Sequence, residues 1–264
     1  MTTDNHQTNA MAKAVAGHFY AVGVGPGAPD LLTLRAVNLI QSADIIITPR
    51  SAQTEVSMAR QIIEPYLQNQ EIIEQAYPME RNLDKTLRAW GQVAEMIAER
   101  SQRGQSIVQT TLGDPLLYST SCYLLDQLLP RFPEGWIHVV PGISAMQTVA
   151  ALSGDSLALQ EDRLMLMTAH DLNEVEKAFT CCETLVLYKC GKKLGELAAL
   201  LERQGLANQT FLACYAEQEG KQFITQDLRA AADGKPGYLA TAIIHVGRRG
   251  WKTTNLDKNP EPKL

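Results

Sequence analysis

Apolar residues gather in short runs along this chain, and longer stretches of helical patterning separate them. In the first half the runs are "HFYAVGV", "ADIIITP", "SIVQTTL" and "IHVVP". In the second half they are "RLMLMTA", "TLVLYKC", "TFLACYA" and "YLATAIIHV". Runs of this length read as strands. Between them lie helical stretches such as "DLLTLRAVNLIQSA", "LDKTLRAWGQVAEMIAERSQRG" and "GKKLGELAALLERQGL". The alternation predicts an α/β protein with largely parallel strands. It breaks once, at "ALSGDSLALQED", where Gly154, Asp155 and Ser156 interrupt an apolar helix. A domain junction is expected there. The expected organisation is a disordered lead-in over 1–17, an N-terminal α/β domain over 18–148, a C-terminal α/β domain over 149–250 and a flexible tail over 251–264. No internal repeat or low-complexity segment is present.

Composition narrows the classes. The chain has 264 residues, 45% hydrophobic and 20% charged, ordinary values for a globular protein with a sizeable core. A net charge of −5 with no dense basic stretch argues against a nucleic-acid partner. The five cysteines, at 122, 181, 182, 190 and 214, form no CxxC pair and have no histidine at finger spacing. They read as reduced thiols of a cytoplasmic protein, and no metal site is expected. The segment "MTTDNHQTNAMAKAVAG" lacks the basic and apolar blocks of a signal peptide, and no apolar run is long enough to span a bilayer.

The candidate chemistry lies in turns after strands. Gly23-Val24-Gly25-Pro26-Gly27-Ala28 satisfies the spacing of a dinucleotide loop. Pro26 removes one of the N–H donors that a phosphate cradle needs. The acidic residue expected at the end of the second strand is also missing, because that strand ends in Pro49-Arg50. A pyrophosphate cofactor is therefore disfavoured. The rigid Gly-Pro-Gly turn suits a phosphate-free ligand, or serves only as a tight turn. A second turn, Gly113-Asp114-Pro115, follows a strand ending at Leu112 and leads into a hydroxyl-rich run. Asp114 would sit at the carboxyl end of a parallel strand, where open α/β sheets bind ligands, or would act as a simple turn or cap residue. The third turn, Pro141-Gly142, precedes Ser144, which could cap the next helix. Three such turns at carboxyl ends of one sheet indicate a cleft.

Taken in order, "GVGPGAPDLLTLRAVNLIQSADIIITPRS", "GDPLLYST", "VVPGISA", "LVLYKCGKK" and "ATAIIHVG" resemble the tetrapyrrole (corrin/porphyrin) methylase family. The resemblance runs from Phe19 to Gly247. Within the family, "TPRS" and "GDPLLYST" look most like the methylases that act on C20 of a corrin precursor. The resemblance implies two α/β domains with S-adenosylmethionine in a cleft between them, an acidic tetrapyrrole substrate and a homodimer. A sulfonium nucleoside without phosphate agrees with the proline in the first loop. By position, the resemblance implies donor contacts from Pro26, Leu112, Gly113, Asp114, Leu117, Ser144 and Ala145. From the second domain it adds Tyr188, Lys189, Ala213, Cys214, Ala242 and Ile243. Ser121-Cys122 departs from the family look, which has bulkier apolar residues there.

Methyl transfer from a sulfonium is an in-line displacement in which positioning supplies much of the acceleration. The acceptor carbon must then lose a proton, to a weak base or to water. The expected catalytic set is Tyr118, Arg50 and Asp114. Arg50 would hold a substrate carboxylate, or is a surface arginine. Tyr118 would orient the reacting carbon, or packs on a helix face. Lys189 would face the cleft, Lys192 and Lys193 read as a solvated helix start, and Arg81 lies in a loop that could cover substrate. His138 and His245 read as satisfied core or edge residues, His170 as a turn residue, and Cys181-Cys182 as core or loop. The competing readings are another tetrapyrrole methylase, such as the uroporphyrinogen-III C-methyltransferase, or a non-catalytic nucleotide-binding module.

Overall fold

The computed structural model describes residues 12–50, 57–77, 83–233 and 239–247. By contacts the chain divides into two units, residues 1–144 and 145–264.

The first unit runs β1 (Phe19–Gly23), α1 (Leu34–Ser42), β2 (Ile45–Arg50), α2 (Met58–Ile63), β3 (Glu71–Ala76), α3 (Leu83–Gln102), β4 (Ile107–Thr111), α4 (Ser121–Leu128) and β5 (Ile137–Val140). Its sheet has the order β3-β2-β4-β1-β5, and every pairing is parallel. Side chains alternate between the two faces of a strand, so a parallel strand covered on both sides is mostly apolar, and its polar members need partners. Both faces are covered here. Tyr20, Val22, Ile46 and Val108 pack with Leu39, Ile40 and Ile63 on one side. Phe19, Ile45, Ile47 and Ile107 pack with Trp90, Ile97 and Leu124 on the other. Each such side chain contributes about 1.5–3 kcal/mol on burial. Thr33 caps α1 by accepting from the N–H of Ala36 at 3.2 Å.

The lead-in differs from expectation. The N–H of Ala14 donates to Ser42 Oγ at 2.8 Å and that of Val15 to the hydroxyl of Tyr20 at 3.0 Å, so the chain is tied down before β1. Residues 1–11 and the expected tail over 251–264 lie outside the described residues.

The second unit runs α5 (Ala145–Ser153), β6 (Leu164–Thr168), α6 (Leu172–Ala178), β7 (Thr184–Tyr188), α7 (Leu194–Arg203), β8 (Thr210–Cys214), β9 (Phe223–Thr225), α8 (Leu228–Asp233) and β10 (Ala240–His245). The expectation of largely parallel strands fails in its sheet, which has the order β6-β7-β10-β8-β9. Only β6 and β7 are parallel, whereas β10 lies antiparallel between β7 and β8, and β8 pairs antiparallel with β9. Burial on both faces makes β10 read like any central strand, so its direction is not in its composition.

The junction also moves. The expected cut between residues 148 and 149 would bisect α5, yet Val149 of that helix is fully buried against Val186, Ala213 and Ile243 of the second sheet. Gly154 marks the end of the helix, and the division falls before it starts. The hydrophobic pattern does not mark strands β3 and β9. The charged Glu71 and Glu74 break the apolar run of β3, and β9 has three residues with Phe223 and Ile224 exposed. Both are edge strands, which tolerate polar or exposed positions. Among the described residues no helix is long and apolar enough to cross a membrane.

Candidate active site

A parallel sheet brings the carboxyl ends of all its strands to one end. The three turns picked out by sequence meet at that end of the first unit. The N–H of Val24 donates to the carbonyl of Thr111 at 2.9 Å, and that of Gly113 to the carbonyl of Gly25 at 2.7 Å. Gly25 and Gly113 both hold left-handed backbone, with φ of +76° and +71°. A Cβ on Gly23 would stand 2.5 Å from the Gly113 carbonyl oxygen, and one on Gly142 would stand 2.1 Å from the same atom. Only bare backbone allows this approach, so the glycines fuse the turns after β1, β4 and β5 into one rigid cradle. Pro26 is buried beside it and Ser144 is buried just beyond it. Val24, Gly113 and Gly142 spend their N–H groups on protein acceptors and Pro26 has none, so these positions offer no donor to a phosphate.

Asp114 ties the turns together. One carboxylate oxygen accepts from the N–H of Leu116 at 2.8 Å, an Asx-type turn, and the other accepts from the N–H of Gly142 at 3.1 Å. Both oxygens serve backbone, which gives Asp114 a positioning role for the loop that follows. That loop carries Tyr118, which is 42% exposed and holds a left-handed φ of +50°. A non-glycine residue held there is strained, and such residues concentrate at ligand sites. Leu112 and Leu117 are half-buried on either side of Asp114. The polar run beyond it folds inward. Thr111 Oγ1 lies 3.1 Å from Ser119 Oγ, the N–H of Ser121 donates to Ser119 Oγ at 3.1 Å, and Ser121 Oγ donates to Gln109 Oε1 at 3.0 Å. The small Ser121 is thus a network residue, and Cys122 donates its thiol to the Pro115 carbonyl at 3.5 Å. The sequence signal for this network is the glutamine inside the strand "SIVQTTL", a polar residue at a buried position.

Arg50 ends β2 exposed, at the same end of the sheet as the cradle. It stands in register with Ala76, the last residue of β3. Next to Ala76 is Tyr77, whose ring stacks on Trp90 of α3 at a centroid distance of 4.1 Å. Neither aromatic was singled out by sequence. Arg81 lies outside the described residues.

The second-unit positions are of two kinds. Tyr188 ends β7, and its hydroxyl accepts from the N–H of Met146 at 2.9 Å, holding the first turn of α5. Lys189 follows it with a left-handed φ of +58°. Tyr215, after β8, holds φ of +50°. Strained residues therefore follow β7 and β8 as Tyr118 follows β4. The other positions are committed to packing. Ala213 and Ile243 lie in the core under α5, while Cys214 and Ala242 lie in the core on the other face. Ala242 and Ile243 are also paired in ladders on both sides. Their side chains support the sheet. Burial pushes the Cys214 thiol up to about 11 and the Cys190 thiol up to about 12, so both stay protonated near neutrality.

The remaining residues weighed in the sequence serve packing, pairing or solvent. His138 Nε2 lies 2.8 Å from His18 Nδ1 on edge strand β5, and its ring stacks on Tyr20. Burial and the neighbouring His18 lower its pKa. His245 lies 3.3 Å from Asp155, and His170 is an exposed turn residue. Lys193 pairs with Glu196 at 3.2 Å and Lys192 is exposed, as a solvated helix start requires. Cys181 is exposed and Cys182 is buried. Among the described residues no group of three or more metal-ligating side chains occurs.

Residues 18–231 match the family of Tetrapyrrole (Corrin/Porphyrin) Methylases, and the chain belongs to that family. It is 30% identical over 233 residues to a cobalt-precorrin-2 C(20)-methyltransferase of Salmonella typhimurium, covering 87% of this chain and 96% of the relative. It is 28% identical over 254 residues to a precorrin-2 C(20)-methyltransferase of Sinorhizobium sp., covering 92% and 99%. Among solved structures, a cobalt precorrin-4 methyltransferase aligns with a TM-score of 0.64 at 20% identity over 86% of this chain and 94% of that one. The uroporphyrin-III C-methyl transferase of Thermus thermophilus, complexed with S-adenosylhomocysteine, aligns with a TM-score of 0.58 at 21% identity over 86% and 96%.

Proposed function

We propose that this chain is an S-adenosylmethionine-dependent methyltransferase that methylates C20 of precorrin-2, or of its cobalt-containing counterpart, in cobalamin biosynthesis. The glycine cradle with a buried proline carries the reading, because it offers close backbone approach while Val24, Gly113 and Gly142 spend their N–H groups within the protein and Pro26 has none. The named relatives that match most of the chain supply the acceptor position. Pro26, Leu112, Gly113, Leu117, Ser144 and Ala145 are the proposed donor contacts, with Asp114 fixing their backbone. Tyr188 and Lys189 join that set from the family pattern. S-adenosylmethionine supplies, when bound, a methyl group already activated on a positive sulfur.

The protein's part is then to position the acceptor carbon in line and keep water from the donor. Tyr118 is proposed to orient the macrocycle edge, and Arg50 to anchor one of its carboxylates. Neither residue forms a covalent bond in this scheme. The chain is further proposed to work as a cytoplasmic homodimer, in keeping with its free thiols.

The test is single-turnover transfer from labelled S-adenosylmethionine to metal-free precorrin-2 and to cobalt-factor II in parallel. A product methylated at C20 from either substrate is expected, and the better substrate fixes the metal state. Donor binding without transfer to either would overturn the C20 reading. Binding of NAD(P) in place of the donor would overturn the methylase reading itself.

A further inference from the structure

Among the described residues, three buried side-chain polar atoms have no hydrogen-bond partner: Thr48 Oγ1, Tyr77 Oη and Trp90 Nε1. Two of them belong to one contact, since the Tyr77 and Trp90 rings stack with centroids 4.1 Å apart and planes within 8°. Trp90 is 1% exposed. Thr48, on β2, shares that unpaired state, whereas two buried polar side chains of neighbouring β4 are paired. Gln109 is met by Ser121, and Thr110 donates to the carbonyl of Ile47. A pair needed only for bulk would be as well served by phenylalanine, which leaves no donor stranded.

The stack is placed where a ligand would be. Tyr77 follows β3 directly, so it stands at the carboxyl end that holds the cradle. Trp90 lies 6.1 Å from Tyr123, a half-exposed residue of α4, the helix that follows the Asp114 loop. The aromatic row thus leads from the end of β3 toward that loop. Arg50, in register with Ala76, puts an exposed cation one residue from Tyr77. An open groove of about 380 Å³ runs between β3 and α3, lined by Gln75, Ala76, Ala89, Gln92, Val93 and Met96. Ala76 and Ala89 are the chain neighbours of the two stacked rings. Two uncharged donors carried by one aromatic stack, with an exposed cation on the adjoining strand, suit an anionic acceptor. Burial raises the tyrosine pKa, so its hydroxyl keeps its proton.

We propose that Tyr77 Oη–H and Trp90 Nε1–H, with Arg50 supplying the charge, receive one carboxylate side chain of the tetrapyrrole and so fix its orientation for methyl transfer. This rests on the tetrapyrrole reading above. Burial keeps water from competing for the two donors, which makes the pair a specificity element.

The test compares the full-length chain with its Tyr77→Phe and Trp90→Phe variants. Three readouts are used: titration with metal-free precorrin-2 in the presence of S-adenosylhomocysteine, steady-state methyl transfer, and thermal unfolding. Loss of one charge-assisted bond should raise the tetrapyrrole Kd and KM about tenfold in Tyr77→Phe. The kcat and the donor affinity should stay within about twofold, since the donor cradle is untouched. The unfolding midpoint should hold or rise, because an unpaired buried hydroxyl has gone. Trp90→Phe should raise KM in the same direction, and it decides the matter if Tyr77→Phe does not fold. An unchanged tetrapyrrole KM in both variants overturns the proposal. A fall in the Tyr77→Phe midpoint without a change in KM also overturns it, by giving the hydroxyl to the fold. If the unaltered chain binds no tetrapyrrole, the functional reading and this proposal fall together. If it methylates precorrin-2 and the variants do so equally well, only this proposal falls.

Discussion

Single residues at the carboxyl end of the first sheet do unequal work. Asp114 serves two backbone N–H groups across two turns, so its loss leaves both unpaired. Asp114→Ala should cost about 1–3 kcal/mol of stability and weaken donor binding about tenfold or more. Calorimetric titration with S-adenosylhomocysteine checks this, and full affinity in the variant would show that the turns hold without it. At the far edge, His138 sits against His18 with its pKa lowered by burial and by its neighbour. A histidine kept neutral in the fold binds its proton more readily once unfolded. Its contribution is therefore present above the ordinary value of 6.5 and is lost as the pH falls through the lowered one. An NMR titration should find His138 titrating below the ordinary value of 6.5. Replacement by Gln should flatten the stability profile between pH 7 and the lowered value.

At the level of elements, the cradle is the least tolerant feature. A Cβ on Gly142 meets backbone atoms of Gly113 and Gly23 at 2.1 and 2.8 Å, and neither can move aside cheaply. Gly142→Ala should cost about 2 kcal/mol or more and abolish measurable donor binding. Gly195, in the first turn of α7, has nothing within 4 Å of the same construction. Gly195→Ala should stabilise by about 0.5–1 kcal/mol, because helix propensity alone changes. Paired thermal melts separate the two cases, and equal effects would show that the close approach is not what matters. The starts of β6 and β7 are joined by Arg163, which grips Glu183 with two side-chain bonds and its own N–H. This holds the Glu183 carboxyl near 2 instead of the ordinary 4.5. The unfolded chain takes up that proton first, so the contribution exists above about 4.5 and fades as the pH drops toward 2. Glu183→Gln should lower the melting point at neutral pH and remove part of its acid slope in that window.

For the molecule as a whole, light scattering should give twice the 29.1 kDa chain mass, and a monomer at working concentration would end the homodimer proposal. The local architecture is legible along the chain. Eight apolar-rich runs became strands because covered sheet positions favour short runs of β-branched and other apolar residues. The three turns were legible because glycine and proline restrict backbone in ways that do not depend on context. The motifs in order were enough to indicate the family. What depends on neighbours emerges only on folding. The sense of β10 is set by the strands it joins, and α5 belongs to the second unit because Val149 is buried there. The carboxylate of Asp114 faces backbone through the meeting of two turns 28 residues apart. Tyr77 and Trp90 became notable only when folding stacked them and left both donors unpaired among the described residues, since partners and burial are properties of contacts and not of residue type.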